Sequence, residues 1–383
     1  MRHATLISSA TLVGTRIRLA LLLALLLACS GTPPGPADPT LARAEPPSTE
    51  ERYCAWFGDV RDGVLYFGQA AFWWAYRASG ENGGGGEDPK ADLAVAGPQL
   101  IGRFDLERGE LLPPLEVGGA DARSGVWDVH AHSNGRVYFT TYFESMGWVD
   151  PRSGEVQRLE ALGLYLNEIA PGPGANLLVS RYAAAAGAGS GSILLITPDG
   201  ELLAEHPLEP PPGYLAAPKT PAFDPASGEI WATMDLLPED GGPIRHDTYV
   251  LGLDGRERRR IERPEIQFVA FGADGTGYRA ELEGSRLWLH VAPPGAAGTR
   301  LPLDDAFAAD FDFVQDIQIA RDGRAVVTRW SGFVHVVDPH AATQTLRLPA
   351  LEPGGLYYSG VLAGERVCAT YCADVSVVCQ SLP

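Results

Sequence analysis

The stretch VWDVHAHSNGRVYFTTYF, residues 126–143, places Asp128, His130 and His132 two residues apart. On a strand such residues share a face, and a carboxylate beside two imidazoles is a donor set suited to Zn²⁺. A rise of about 3.3 Å per residue separates Asp128 from His132 by roughly 13 Å, too far for both to bind one ion. Adjacent members could chelate together, but no second His-x-His or Glu-x-x-His segment offers the remaining ligands. The favoured reading is an inner strand of a larger β-structure whose histidines are hydrogen-bonded to neighbouring sheets. The sequence contains no Gly-x-Ser-x-Gly elbow, no phosphate-binding loop and no Ser-x-x-Lys. Asp304, Asp305, Asp310 and Asp312 crowd one acidic stretch, which reads as a solvated connector rather than a glycosidase pair.

The element that would position these residues recurs along the chain. Gly and Pro make up 76 of 383 residues, well above the usual share of about 12%. Short runs rich in Val, Ile, Tyr, Phe and Trp alternate with Gly, Asp, Asn and Pro turns. One pattern, an apolar strand, a tight turn and a second more apolar strand, returns seven times. Its copies are WFGDVRDGVLYFG at 56, WDVHAHSNGRVYFT at 127, NEIAPGPGANLLVS at 167, PAFDPASGEIWAT at 221, FVAFGADGTGYRA at 268, DIQIARDGRAVVT at 316 and YSGVLAGERVCAT at 358. Most continue into a third strand and another turn. Four strands per 40–55 residues predict the blade of a β-propeller. Each blade has two apolar faces, so the set must close into a ring. The expectation is all-β, four-stranded antiparallel blades, seven of them, with six as the alternative. The last copy ends after three strands, and residues around Glu51 to Cys54 are expected to supply its fourth. The basic cluster RERRRIER, residues 256–263, reads as the solvated face of an outer strand.

Aligning the copies on their turn and counting back seven positions gives Trp56, Asp128, Asn167, Pro221, Phe268, Asp316 and Tyr358. This position should open the innermost strand at the rim of an axial channel. Asp128, Asn167 and Asp316 carry oxygen there, with Glu168, Gln267 and Gln315 beside them. Converging oxygens suit Ca²⁺ or another hard divalent cation, or a polar ligand. The competing reading is that Asp and Asn satisfy local backbone groups at strand starts. Two insertions interrupt the rhythm. Residues 70–93 carry Trp73 and Trp74 beside Phe72 and Tyr76, a candidate ligand-binding patch. Residues 182–192 are low in complexity and read as a loop.

The segments SNGRVYFT and RDGRAVVT resemble the turn-and-strand core of a six-bladed propeller superfamily. That superfamily includes gluconolactonase/regucalcin-like proteins, streptogramin lyases and NHL-repeat proteins. The resemblance implies a single divalent metal in the channel and lactonase or esterase chemistry, with Asn167-Glu168 similar to the family's Asn-Asp pair. The early glutamate ligand has no counterpart here, nor does the catalytic histidine of the lyases.

At the N-terminus Arg2, Arg16 and Arg18 precede an apolar run, Leu19–Ala28, half the ~20 residues a membrane-spanning helix needs. This is the pattern of a secretory signal peptide, residues 1–28. Leu26-Leu27-Ala28-Cys29 resembles a bacterial lipobox. The resemblance implies cleavage before Cys29 and a lipid on its thiol, with Ser30 favouring the outer membrane. Residues 29–50, with six prolines between 31 and 50, read as an extended tether, and 51–383 as the propeller. Without the leader the chain has 27 basic and 48 acidic residues, net −21. Nucleic acid, which needs dense Lys/Arg patches, is excluded as a partner. The expected product is a monomeric outer-membrane lipoprotein, facing the periplasm or the surface, with a protein or small molecule as ligand. Four cysteines remain after Cys29. A hairpin turning at Ala373-Asp374 sets Cys368 opposite Cys379, within disulfide reach, and leaves Cys54 for Cys372. The rival Cys54–Cys379 pair would leave Cys368 and Cys372 four apart on one strand, too distant to bond.

Overall fold

The first hairpin of every repeat closes on a glycine in the left-handed region. Gly63, Gly135, Gly174, Gly228, Gly275, Gly323 and Gly364 all have φ between 61° and 101°, a conformation that costs glycine nothing. The computed structural model describes residues 40–43, 54–70, 97–119, 122, 125–141, 144–182, 191–238, 245–262, 266–304, 314–339, 343–348, 356–372 and 375–382.

Thr40–Arg43 forms strand β1. Blade one follows as Cys54–Arg61 (β2), Val64–Ala70 (β3), Gln99–Asp105 (β4) and Glu110–Gly118 (β5). Blade two is Asp128–Ala131 (β6), Val137–Thr140 (β7), Gly147–Val149 (β8) and Val156–Arg158 (β9). Blade three is Leu166–Pro171 (β10), Leu177–Arg181 (β11), Gly191–Ile196 (β12) and Leu202–Leu208 (β13). Blade four is Tyr214–Asp224 (β14), Glu229–Pro238 (β15), Arg245–Gly252 (β16) and Glu257–Ile261 (β17). Blade five is Ile266–Phe271 (β18), Gly277–Glu283 (β19), Arg286–Ala292 (β20) and Thr299–Asp304 (β21). Blade six is Val314–Ile319 (β22), Ala325–Arg329 (β23), Phe333–Val337 (β24) and Thr343–Arg347 (β25). Blade seven is Leu356–Ala363 (β26), Arg366–Cys372 (β27) and Val375–Ser381 (β28).

Every pairing within a blade is antiparallel, and the first strands neighbour one another in the cycle β2, β6, β10, β14, β18, β22, β26 and back to β2. The chain is thus a seven-bladed β-propeller, not the six-bladed ring that the resemblance implies. Each of the seven junctions has its own apolar core. Between blades one and two, Tyr66 and Ile101 meet Val129, Val137 and Phe139. Burying a side chain of this size contributes about 1.5–3 kcal/mol, so the faces of each blade are stabilised by its two neighbours.

The fourth strand of blade seven is β1, with Thr40 opposite Cys379 and Arg43 opposite Ser376. This corrects two expectations. Residues 51–54 do not supply that strand, since Cys54 instead opens the innermost strand of blade one. Part of the expected tether belongs to the propeller. The C-terminal hairpin has the predicted register, Cys372 opposite Val375 and Cys368 opposite Cys379. Disulfides join Cys368 to Cys379 and Cys54 to Cys372, the second fastening blade one to blade seven. The arginines of β17 lie on an exposed outer strand and pair with acids, Arg259 with Glu229 and Arg260 with Glu257. Gly191 and Ser192, expected in a loop, open β12.

Candidate functional site

Six of the seven residues picked out by repeat alignment, Asn167 excepted, line the two cavities on the axis, and a local irregularity marks their position in the strand. In six inner strands the pairing with the second strand slips at this position. The slips fall between Ala55 and Gly58, Leu166 and Ile169, Pro218 and Pro221, Ile266 and Phe268, Val314 and Asp316, and Tyr357 and Gly360. Blade two begins its pairing only at Asp128. A bulge of this kind breaks the period of two and re-aims side chains. The freed backbone is partly held by a hydroxyl at the end of the second strand. Ser180 Oγ accepts from Glu168 N at 3.0 Å, and Thr370 Oγ1 accepts from Ser359 N at 3.0 Å. Thr140, Thr233 and Thr328 hold the same place in β7, β15 and β23 and are buried. These hydroxyl residues were not singled out from sequence, although the repeat displays them in VYFT, LLVS, IWAT, AVVT and VCAT.

Bulge and strand residues form struts from one blade to the next. Asp59 of blade one accepts from Ala131 N at 3.0 Å and lies 2.7 Å from His130 Nδ1. Asp128 of blade two accepts from Val129 N at 2.8 Å and from Ile169 N of blade three at 2.7 Å. Glu168 of blade three accepts from the Thr220 hydroxyl of blade four. Asp316 of blade six accepts from Gln318 Nε2 at 2.9 Å and from the Ser359 hydroxyl of blade seven, which also lies 3.2 Å from Gly58 O. The two histidines of the opening motif also bridge blades. His130 meets Asp59, and His132 Nε2 lies 2.9 Å from Ala175 O of blade three.

Among the described residues no three His, Cys, Asp or Glu side chains converge to hold a metal. Of the three expected ligands, Asp128 uses both oxygens on backbone amides and Asp316 accepts from two side chains. Asn167 donates to Glu168 Oε1 at 3.1 Å while its own Oδ1 is buried without a hydrogen bond. Asp128 and Asp316 thus tie strands of neighbouring blades to one another. Gln267 is buried with Oε1 unpartnered. Trp73, Trp74 and Cys29 lie outside the described residues.

Two cavities open on the axis. The wider, about 540 Å³, has Asp59, Asp128, His130, Asp316 and Gln318 on the side of blades six, one and two. Its opposite side, from blades four and five, is apolar: Pro221, Ala222, Phe223, Phe268, Val269 and Phe271. The narrower, about 140 Å³, receives residues from all seven blades, among them Trp56, Trp127, Glu168, Gln315, Trp330 and Tyr358. Phe57 and Phe268 border both.

Three buried carboxyls beside this axis hold their protons unusually tightly. Burial, then the neighbouring Glu168 charge, keeps Asp128 well above the ordinary carboxylate range against its two amide hydrogen bonds. Burial pushes Glu168 up to about 7, opposed by Thr220 and Lys219, and Asp316 to about 6, opposed by Ser359 and Gln318. Asp235 moves the other way. Lys219 and His246 overcome its burial and hold it below the usual range.

No family model matches the sequence, and no curated protein does. Among solved structures the chain is similar to the WD40 domain of Neurospora crassa Pan2, with 13% identity and a TM-score of 0.54, covering 89% of this chain and 94% of that one. It is also similar to an extracellular domain from B. thetaiotaomicron, named for the hybrid two-component system BT3049. There the identity is 12% and the TM-score 0.55, over 91% of this chain and 41% of that one. At these identities the likeness is one of fold, the propeller.

Proposed function

We propose that this protein is an exported, lipid-anchored propeller that acts as a binding or scaffold protein, with a small amphipathic molecule in its wide axial mouth. The observation that carries the reading is the division of the 540 Å³ cavity into an apolar side and a side of carboxylates and histidine. A volume of that size with a few placed polar groups is typical of ligand pockets. The two disulfides support export, since such bonds persist in oxidising compartments. The lipobox-like Leu26-Leu27-Ala28-Cys29 supports the anchor and the outer membrane.

Radiolabelled palmitate tests the anchor. The wild-type chain takes up label and sediments with membranes, and Cys29→Ser does neither; an unlabelled wild-type chain refutes it. The neutral dye Nile red tests the mouth, using the full-length Cys29→Ser chain. Dye fluorescence rises on binding, and Ala270→Trp, which adds bulk where the wall of the mouth meets the core of blades five and six, weakens it at least tenfold while circular dichroism shows the variant folded. Binding unchanged by Ala270→Trp removes the site. The hydrolase alternative requires a bound divalent ion, which elemental analysis of the purified protein detects.

A further inference from the structure

We propose that the narrow end of the axial channel is a separate binding site for a small organic cation of the trimethylammonium type. Trp56 and Phe57 of blade one, Trp127 of blade two, Trp330 of blade six and Tyr358 of blade seven line this cavity. Ring centroids of Trp56 lie 4.1 Å from Trp127 and 4.5 Å from Tyr358, and Phe57 lies 5.5 Å from Tyr358. Their planes are inclined by 32° to 80°; Trp56 is fully buried within the cluster, which borders the space with Trp127, Trp330 and Tyr358. Aromatic faces carry partial negative charge and attract cations, quaternary ammonium above all.

The charged residues of the cavity favour the same ligand. Glu168 and Asp235 stand opposite the aromatic side with Lys219, whose Nζ is 3.3 Å from Asp235. Two carboxylates against one ammonium leave the lining one negative charge in excess when both are ionised, which disfavours an anion. A bare metal ion needs converging oxygen or nitrogen ligands, and among the described residues no such set of His, Cys, Asp or Glu exists. The 140 Å³ of space equals roughly four or five waters at about 30 Å³ each. That accommodates one compact cationic head and is too small for a drug-sized molecule. All seven blades contribute to the wall, so only the closed ring assembles the site. The site is distinct from the wide mouth and does not depend on what binds there.

The test uses the full-length Cys29→Ser chain, with tetramethylammonium and choline as probes and 3,3-dimethylbutanol as the uncharged isostere of choline. Saturation-transfer NMR on the methyl protons reports binding, and titration gives Kd. The expected result is binding of both cations and at least tenfold weaker binding of the isostere. Trp127→Leu and Trp330→Leu each weaken tetramethylammonium by roughly 3- to 30-fold, the range of a cation–π contact. At about pH 8.5, above the value of about 7 for Glu168, Glu168→Gln weakens the cations and leaves the isostere unchanged. Circular dichroism and thermal midpoints confirm that each variant is folded, and two independent Trp variants cover the failure of either. No cation binding at tens of millimolar, or equal binding of choline and its isostere, overturns the proposal. Ala270→Trp leaves the cation Kd unchanged, which separates this site from the wide mouth; loss of cation binding in that variant overturns the claim of two sites. Phosphatidylcholine vesicles added as competitor distinguish the source of the cation. Competition assigns it to a lipid headgroup and its absence to a free solute, and either result keeps the site.

Discussion

Replacing Glu168 by Gln should change how stability depends on pH, in a direction opposite to the usual effect of breaking a carboxylate contact. Burial lifts this carboxyl from an ordinary 4.5 to about 7 in the folded protein. The folded state therefore binds its proton more tightly than the unfolded chain. Stability from this group is complete below the unfolded value and falls as pH rises through 4.5 towards 7. At 1.36 kcal/mol per tenfold change in proton affinity, the loss is about 3 kcal/mol. Glutamine keeps a carbonyl oxygen to accept from the Thr220 hydroxyl but has no proton to lose. The quantity to measure is the unfolding free energy of Glu168→Gln minus that of the wild type, by urea titration with disulfides intact. It should rise by about 3 kcal/mol between about pH 4 and pH 8. A constant offset from lost contacts cancels in this comparison. If the difference is flat across that range, Glu168 is not the buried, desolvated acid described above.

Ser359→Ala removes the hydroxyl that reaches Asp316 and Gly58. It should cost roughly 1–3 kcal/mol at neutral pH and less where Asp316 keeps its proton, below its value of about 6; parallel denaturation at both pH values checks this. Replacing Cys54 and Cys372 by Ser opens a bond between residues 318 apart, against 11 for Cys368 and Cys379. Loop entropy then predicts losses of about 6 and 3 kcal/mol respectively, read as shifts in the urea midpoint. A Cβ on Gly68 would sit 2.5 Å from Val126 O, a backbone atom at the junction of blades one and two. Gly68→Ala should therefore lower stability by about 1–3 kcal/mol or more, visible as a reduced thermal midpoint.

The blades were readable because each repeats the same unit, apolar strand, glycine turn, apolar strand, and the cysteine pairing because a hairpin register is simple arithmetic. What the sequence concealed was direction. Alternation cannot say whether Asn167 or Glu168 faces the axis, since the bulge at Leu166/Ile169 shifts the phase there. Glu168 lines the narrow cavity and Asn167 does not. The same phase shift puts Asp128, Asn167 and Asp316 on a common list, while in space Asp128 bonds across blades two and three, Asp316 across blades six and seven, and the Asn167 side chain to its neighbour Glu168. The start of the propeller was concealed for another reason: TLAR, residues 40–43, sits among prolines, and only the unpaired edge of β28 shows why it becomes a strand.

Because β1 comes from early in the chain and is hydrogen-bonded to the edge of β28, a mechanical pull applied upstream of Thr40 loads that strand before any other described strand. Peeling it away would strip one row of hydrogen bonds from the last blade. Among the described residues the next along the chain is Cys54, held covalently to Cys372. Traction would thus be arrested at a sulfur–sulfur link, and the circular body behind it would remain shut.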